Sequence, residues 1–326
     1  MKFQIRSLHA PDDYAAVATL VNLIRSVPTT GEQLEDDESK IPPGQLHYNE
    51  EGELMGWDRP KWVAEDEEGQ VIGYCMAWRA PWNEPGTINQ ILVVHPDYRG
   101  RGVGTALYEV LNQWATQIKA SRVIDYMRET DEKSLEYARK RGFTMERHTF
   151  ESKLDLSAFD RDYLFDTIPQ VEQTGIQFIT LTDEPGEASE RKLHELYKVT
   201  HHDIPGFNED FPWFEEWKKW SIELPGVTPE RIHIAKDGDK YVGVVTLMFN
   251  QTTGAMYNEY TGVLPEYRGR RIALALKLLG LQTARRIGAP YLLTHNDSLN
   301  APMLRINRDL LGFQAEPGNF KMVKKL

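Results

Sequence analysis

Apolar residues recur along this chain with two periods, two and about 3.6, and the switches between them mark its elements. Phe3 to Leu8 reads as a strand. Pro11, Asp12 and Asp13 then open a helix, with acidic side chains suited to the positive end of its dipole. Trp62 to Glu65 and Val71 to Trp78 flank the turn Glu67-Glu-Gly-Gln and predict paired strands. Ile91 to Val94 forms a short buried strand ended by Pro96, which brings no N–H to a ladder. From Val103 the apolar positions Ala106, Leu107, Val110, Leu111, Trp114 and Ile118 fall on one helical face. Ser121 to Met127 predicts a strand, Lys133 to Arg141 a helix closed by Gly142, and Phe143 to Leu156 more strand.

The pattern then returns. Ala64, Gly73, Arg99 and Gly142-Phe143 recur as Ala235, Gly243, Arg268 and Gly312-Phe313, and Phe150 recurs as Phe320, always 169 to 171 residues later. So constant a spacing predicts duplication. The expected domains are 1–156 and 174–326, joined by a linker over 157–173 that carries an amphipathic piece, Tyr163 to Ile168. The second domain opens with a strand near Gln177 to Leu181 and a helix over about Ala188 to Val199. Residues 25–60 are acidic and rich in proline and glycine, and read either as a solvated insertion or as a segment covering a substrate.

The turn Arg99-Gly100-Arg101-Gly102-Val103-Gly104 stands between a strand and a helix start. Glycines there allow positive φ and close approach, so free N–H groups at the helix N-terminus can face an anion, flanked by two arginines. The natural guest is a pyrophosphate; the plain alternative is a solvated loop. A P-loop is excluded because no Gly-Lys-Ser/Thr follows. A dinucleotide fingerprint fits Gly102, Gly104 and Asp125 but meets Leu107 where its third glycine belongs.

Arg99-x-x-Gly102-x-Gly104, after a strand ending Val-x-Pro, resembles the acetyl-CoA signature Gln/Arg-x-x-Gly-x-Gly/Ala of the GNAT superfamily of acyl-CoA-dependent N-acetyltransferases. The order of elements resembles that fold twice over. The resemblance implies an α+β architecture: two tandem GNAT-like domains, each a mixed, mostly antiparallel sheet flanked by helices, with a splayed fourth and fifth strand pair. It implies acetyl-CoA as cofactor, its pantetheine arm completing the open edge at Leu92, Val93 and Val94. Arg99, Gly100, Arg101, Gly102, Val103, Gly104 and Thr105 would hold the pyrophosphate.

In the second copy the same resemblance points to Thr261, Gly262 and Val263 for the arm, and to Arg268, Gly269, Arg270, Arg271 and Ala273 for the turn. Arg271 replaces the central glycine: it blocks close approach, or reaches a phosphate itself, or marks a degenerate turn. Asn296 and Asn300 are candidate cofactor contacts, with N-capping as their other role.

Family members transfer acetyl directly from the thioester to a neutral amine, which needs a base, an oxyanion-holding N–H (Val94 or Val263) and an acid for the thiolate. Glu259 is the candidate base, because four residues before Val263 places it on the same strand face. Gln90, its counterpart, cannot serve. Relatives carry an acidic Tyr four residues before the Gly-Phe glycine; here Ala138 and Arg308 stand there, with Tyr137 and Asn307 one residue earlier. A one-residue helical insertion restores Tyr137 as the acid, or water takes the step and Tyr137 only packs. The implied function is acetyl transfer to a primary amine, on a small molecule or a peptide. The alternatives are an acyl-CoA-binding module without turnover, or one catalytic domain beside a structural one.

Composition narrows this modestly. The chain has 326 residues, 40% hydrophobic and 27% charged, enough for two ordinary domains. A net charge of −11 argues against nucleic acid and slightly favours cationic partners such as amines. There is no signal-peptide pattern at the N-terminus and no apolar run of about eighteen residues, so a cytoplasmic protein with no membrane partner is expected. Cys75, in an apolar run, reads as a small buried hydrophobe. His201-His202-Asp203 reads as loop, since consecutive residues share no face, and no metal is expected. Trp213, Trp217 and Trp220 recur at helical spacing, as core or as the wall of a substrate pocket. Oligomeric state leaves no mark on the sequence.

Overall fold

The computed structural model describes residues 2–25, 28–41, 43–80, 83–206 and 211–326. Ser26, Val27 and Pro42, in the acidic stretch 25–60, therefore lie outside the described residues. The chain forms two compact units, Met1–Glu146 with Asn319–Leu326, and Arg147–Gly318.

The first unit runs β1 (Phe3–Ser7), α1 (Tyr14–Val21), α2 (Gly31–Ser39), β2 (Gln45–Tyr48), β3 (Leu54–Trp57), β4 (Lys61–Asp66), β5 (Val71–Trp78), β6 (Thr87–Val94), α3 (Val103–Gln117), β7 (Arg122–Arg128) and α4 (Glu132–Arg139). The stretch 25–60 thus carries a helix and a hairpin. The sequence Gly31–Ser39 has one apolar residue and no helical period; a capping box starts it, the Thr30 hydroxyl accepting from the Gln33 N–H and the Gln33 side chain from the Thr30 N–H. Strands β1, β4, β5 and β6 pair antiparallel in that order, and β6 pairs parallel with β7. Helix α3 buries Val103, Leu107 and Leu111 against Cys75, Ala77 and Val94. The other face is covered by α1, through Val17, Leu20 and Val21 on Val63, Tyr74 and Val93. Cys75 is fully buried as expected, and burial pushes its thiol up.

Beyond α4 comes β8 (Thr144–Asp155), and the second unit continues with α5 (Thr167–Glu172), β9 (Gln177–Thr180), α6 (Glu187–His201), α7 (Phe214–Ser221), β10 (Ile232–Asp237), β11 (Lys240–Phe249), β12 (Met256–Val263), α8 (Ile272–Ile287), β13 (Tyr291–Asp297), α9 (Ala301–Leu304) and β14 (Gln314–Ala315). A π-helical turn, Arg305–Leu311, follows α9. Strands β9 to β12 pair antiparallel in order, and β12 pairs parallel with β13. Each unit is therefore a mixed, mostly antiparallel sheet flanked by helices.

The expected boundaries need correction at both ends. Thr149–Asp155 of β8 pair antiparallel with β13 of the second unit, while β15 (Asn319–Lys325) pairs antiparallel with β7 of the first. The last strand of each repeat thus completes the sheet of the other. Both strands carry the same repeat pattern, with Phe150 answering Phe320, so local pattern cannot tell which sheet each joins. The expected linker 157–173 belongs to the second unit, with Phe159 and Val171 in its core and α5 packed on α8. The tryptophan stripe divides likewise. Trp217 is 1% exposed and belongs to the core, whereas Trp213 and Trp220 are 76% and 69% exposed. The expected loop at His201 is the last turn of α6, where its ring stacks on Tyr260.

Candidate functional site

In the first unit the parallel pair is short. Thr87–Gln90 lie opposite Arg122–Asp125, and from Ile91 onward β6 has no partner on that side. Leu92, Val93 and Val94 remain paired to β5 on the other side. The result is a wedge whose open edge presents backbone groups to any extended ligand. At its mouth Gly100 has φ 75° and Gly102 φ 90°, ψ −13°, and a Cβ at either would meet nothing within 4 Å. No side chain caps α3, whose first ladder bond is Ala106 N–H to Gly102 O, so the N–H groups of Val103, Gly104 and Thr105 are left at its positive end.

Arg99 closes this turn through Nε, which donates to Val94 O at 3.1 Å. Arg101 lies over the Tyr98 ring. The Tyr137 hydroxyl donates to Gly104 O at 2.7 Å, so the side chain does reach the turn; burial pushes its phenol up to about 12. Arg141 stacks on the Tyr137 ring at 3.4 Å and donates to Thr105 Oγ1 at 3.0 Å, a third cation beside the helix start that the motif does not contain.

The second unit repeats the construction. Met256–Asn258 lie opposite Leu292–Thr294, and then β12 and β13 part, leaving Thr261, Gly262 and Val263 on an open edge. Arg268 Nε donates to Val263 O at 3.1 Å, and its Nη2 pairs with Asp203. Tyr267 bonds Asp237 as Tyr98 bonds Asp66, and Arg270 lies over the Tyr267 ring. Gly269 has φ 75°, and Arg271 has φ 61°, ψ 11°, the left-handed conformation that Gly102 holds. The turn is therefore preserved, at the strain of a side chain in that region. The Arg271 guanidinium reaches Gln170 at 3.4 Å, and that of Arg270 reaches Thr174 at 3.4 Å. Ala273 matches Gly104, where a Cβ would make only ordinary contacts, to Val94 at 3.6 Å and Tyr137 at 3.7 Å.

A register shift between Thr246 and Leu247 sets Tyr260 opposite the first and Asn258 opposite the second, leaving Glu259 as a bulge. The bulge breaks the alternation that put Glu259 on the face of Val263. Val263 packs toward α8 beside Ile272 and Leu276, while Tyr260 stacks on Tyr197 of α6. Glu259 is exposed by surface area, yet crowding around its carboxyl pushes it above the ordinary carboxylate range, and its charge is felt at Tyr197 and Tyr257. The two asparagines have structural roles. Asn300 caps α9, accepting from Met303 N–H, and Asn296, which is buried, donates to Ser152 while accepting from Asn307.

The model of the acetyltransferase (GNAT) family matches residues 28–143 and again 191–313. The chain belongs to the GNAT family. It is 25% identical over 291 residues to the mycothiol acetyltransferase of Acidothermus cellulolyticus, covering 82% of this chain and 80% of that one. Among solved structures, a GCN5-related N-acetyltransferase from Sphaerobacter thermophilus superposes with a TM-score of 0.60 at 20% identity, over 99% of this chain and 95% of the other. A tandem GNAT protein of the clavulanic acid biosynthesis pathway gives 0.60 at 18% identity, over 99% and 98%.

Two buried ionisable groups stand at the closed ends of the GNAT wedges, and neither was singled out for that place. In the first unit Asp125 is 6% exposed and accepts from Gln90 Nε2 at 2.9 Å; burial raises its carboxyl to about 7. In the second, Lys277 is 3% exposed and burial lowers its amine to about 7. Both were visible as lone charges in apolar runs, Val-Ile-Asp125 and Leu-Ala-Leu-Lys277-Leu-Leu. Among the described residues no helix is long and apolar enough to cross a membrane.

Proposed function

We propose that the chain is an acyl-CoA-dependent N-acetyltransferase whose two units both bind acetyl-CoA, with transfer to a primary amine at the second. The observation that carries this reading is the agreement of Gly102 and Arg271 in backbone conformation, which keeps both turns open to a pyrophosphate. In the first unit Leu92–Val94 receive the pantetheine arm, and the N–H groups of Val103 to Thr105, with Arg101 and Arg141, hold the phosphates. In the second, Thr261–Val263 and the start of α8 do the same, with Arg270 and Arg271 at the phosphates.

Acetyl-CoA supplies an activated thioester. Glu259, raised by its surroundings and accessible at the bulge, takes the proton that an ammonium must lose before attack. Unpaired backbone N–H groups on the open edge of β12 hold the carbonyl oxygen. The first unit has Gln90 at the place of Glu259, and its Tyr137 hydroxyl is already engaged by Gly104 O, which favours binding without turnover there. The family match and the mycothiol acetyltransferase relative support acetyl transfer; the acidic net charge fits a cationic acceptor.

Calorimetry with acetyl-CoA tests the binding half of the proposal: two sites are expected, and a single site that vanishes in Gly104→Trp would overturn the second cradle. CoA release with a panel of polyamines, aminoglycosides and amino acids tests transfer. Tight binding with no amine acetylated would leave only a binding module.

A further inference from the structure

Lys277 is an anomaly of burial. Its side chain is 3% exposed, and among the described residues no carboxylate lies within ion-pairing distance. A buried ammonium without a counter-charge is strongly disfavoured, and burial lowers the amine to about 7, so a substantial share of it is neutral near neutral pH. Its position is fixed by one contact, Nζ to Asn258 Oδ1 at 2.6 Å. The Asn258 amide cannot turn, since its Nδ2 donates to Tyr260 O and to Thr261 Oγ1, both at 3.1 Å. Asn258 therefore accepts, Lys277 donates one N–H, and in the neutral form the nitrogen lone pair has no partner among the described residues.

That lone pair sits where the wedge of the second unit closes. Asn258 is the last residue of β12 paired with β13, and the open edge begins just beyond it. Asn258 also bonds Thr261, the first residue assigned to the pantetheine arm. An arm laid along that edge with its phosphates at the turn would carry its thioester toward Asn258, the residue that holds the amine. The first unit has Tyr108 at the equivalent helical position, so the feature belongs to one repeat alone.

We infer that Lys277 is a self-acylation site, its amine taking the acyl group of an acyl-CoA bound in the second unit. The inference rests on the proposed second cradle. The Nζ lone pair adds to the thioester carbonyl carbon, the C–S bond breaks, and the departing sulfur takes the proton that nitrogen releases; an amide and free CoA result. No oxidant, reductant or further reactant is needed. Unlike the acceptor's product, the amide does not leave, and it fills the closed end of the wedge.

The test is peptide-resolved mass spectrometry of the full chain after incubation with acetyl-CoA, with free CoA as control and calorimetry of cofactor binding in parallel. The expected result is one acetyl group on Lys277, formed faster than on exposed lysines such as Lys40 and Lys140, and absent with free CoA. The Lys277→Met protein, checked by circular dichroism, should lose that adduct while its surface lysines react as before. Because the modified residue is mapped in the unaltered chain, the result stands even if that variant fails to fold. If two cofactor sites are measured and Lys277 stays unmodified, or reacts no faster than surface lysines, this inference fails while the proposed cradle survives. If only one site binds and Lys277 is unmodified, both fail.

Discussion

Arg271 occupies, with φ 61° and ψ 11°, the backbone state that Gly102 occupies with φ 90° and ψ −13°. A side chain in that region is strained by about 1 kcal/mol, part of which a glycine returns as unfolded-chain entropy. Arg271→Gly should therefore raise stability by up to about 1 kcal/mol in urea melts, and Gly102→Arg should lower it by a similar amount. Calorimetry of Arg271→Gly should still show two acetyl-CoA sites; loss of the second would mean that the guanidinium, not the turn, makes it.

Gly104 offers a graded pair. Its missing Cβ would sit 3.6 Å from Val94 and 3.7 Å from Tyr137, ordinary contact distances. Gly104→Ala should keep cofactor binding and stabilise α3 by up to about 1 kcal/mol. Gly104→Trp should remove binding in the first unit and leave the second intact.

As the proposed base, Glu259 should set the pH dependence of transfer. A carboxyl raised by crowding is protonated, and so unable to accept a proton, further up the pH scale than an ordinary glutamate. The rate should rise as pH rises through that value. Glu259→Gln should remove this limb and lower kcat by roughly 100-fold to 10,000-fold with little change in acetyl-CoA affinity. An unchanged profile would remove Glu259 from the chemistry.

Asp125 makes a stability prediction with a definite sign. Its folded value of about 7 lies above the ordinary 3.8, so the native state holds the proton more tightly than the unfolded chain. The contribution is complete below about pH 4 and is lost as pH rises through about 7. The advantage of Asp125→Asn over the wild type should therefore grow across that interval, to at most about 4 kcal/mol. A difference that stays flat with pH would show that solvent reaches the carboxyl.

Much of this was legible in sequence because it is local. Val71–Trp78 is a short apolar run that flanks a turn, Val103–Gln117 carries one apolar face, and the repeat of Arg99 at Arg268 marks two turns that the structure builds alike. What escaped depends on pairing across the chain. The bulge at Glu259 is a register shift against β11, so counting four residues to Val263 put Glu259 on a face that the register does not keep. Asn300 turns on one capping bond and α2 on a reciprocal pair, and such bonds compete on even terms with other roles for the same residue types. Lys277 and Asp125 left a signal, a charge alone among apolar neighbours, but only the strand separation shows where those charges sit.

The exchanged last strands bear on how the chain is made. Strand β7 ends at Arg128, yet its neighbour β15 comprises Asn319–Lys325, which follows the whole of the second unit, Arg147–Gly318, along the chain. Until those leave the ribosome, β7 carries a bare edge able to pair with other nascent chains. The sheet of the first unit stays incomplete until the second unit has been made.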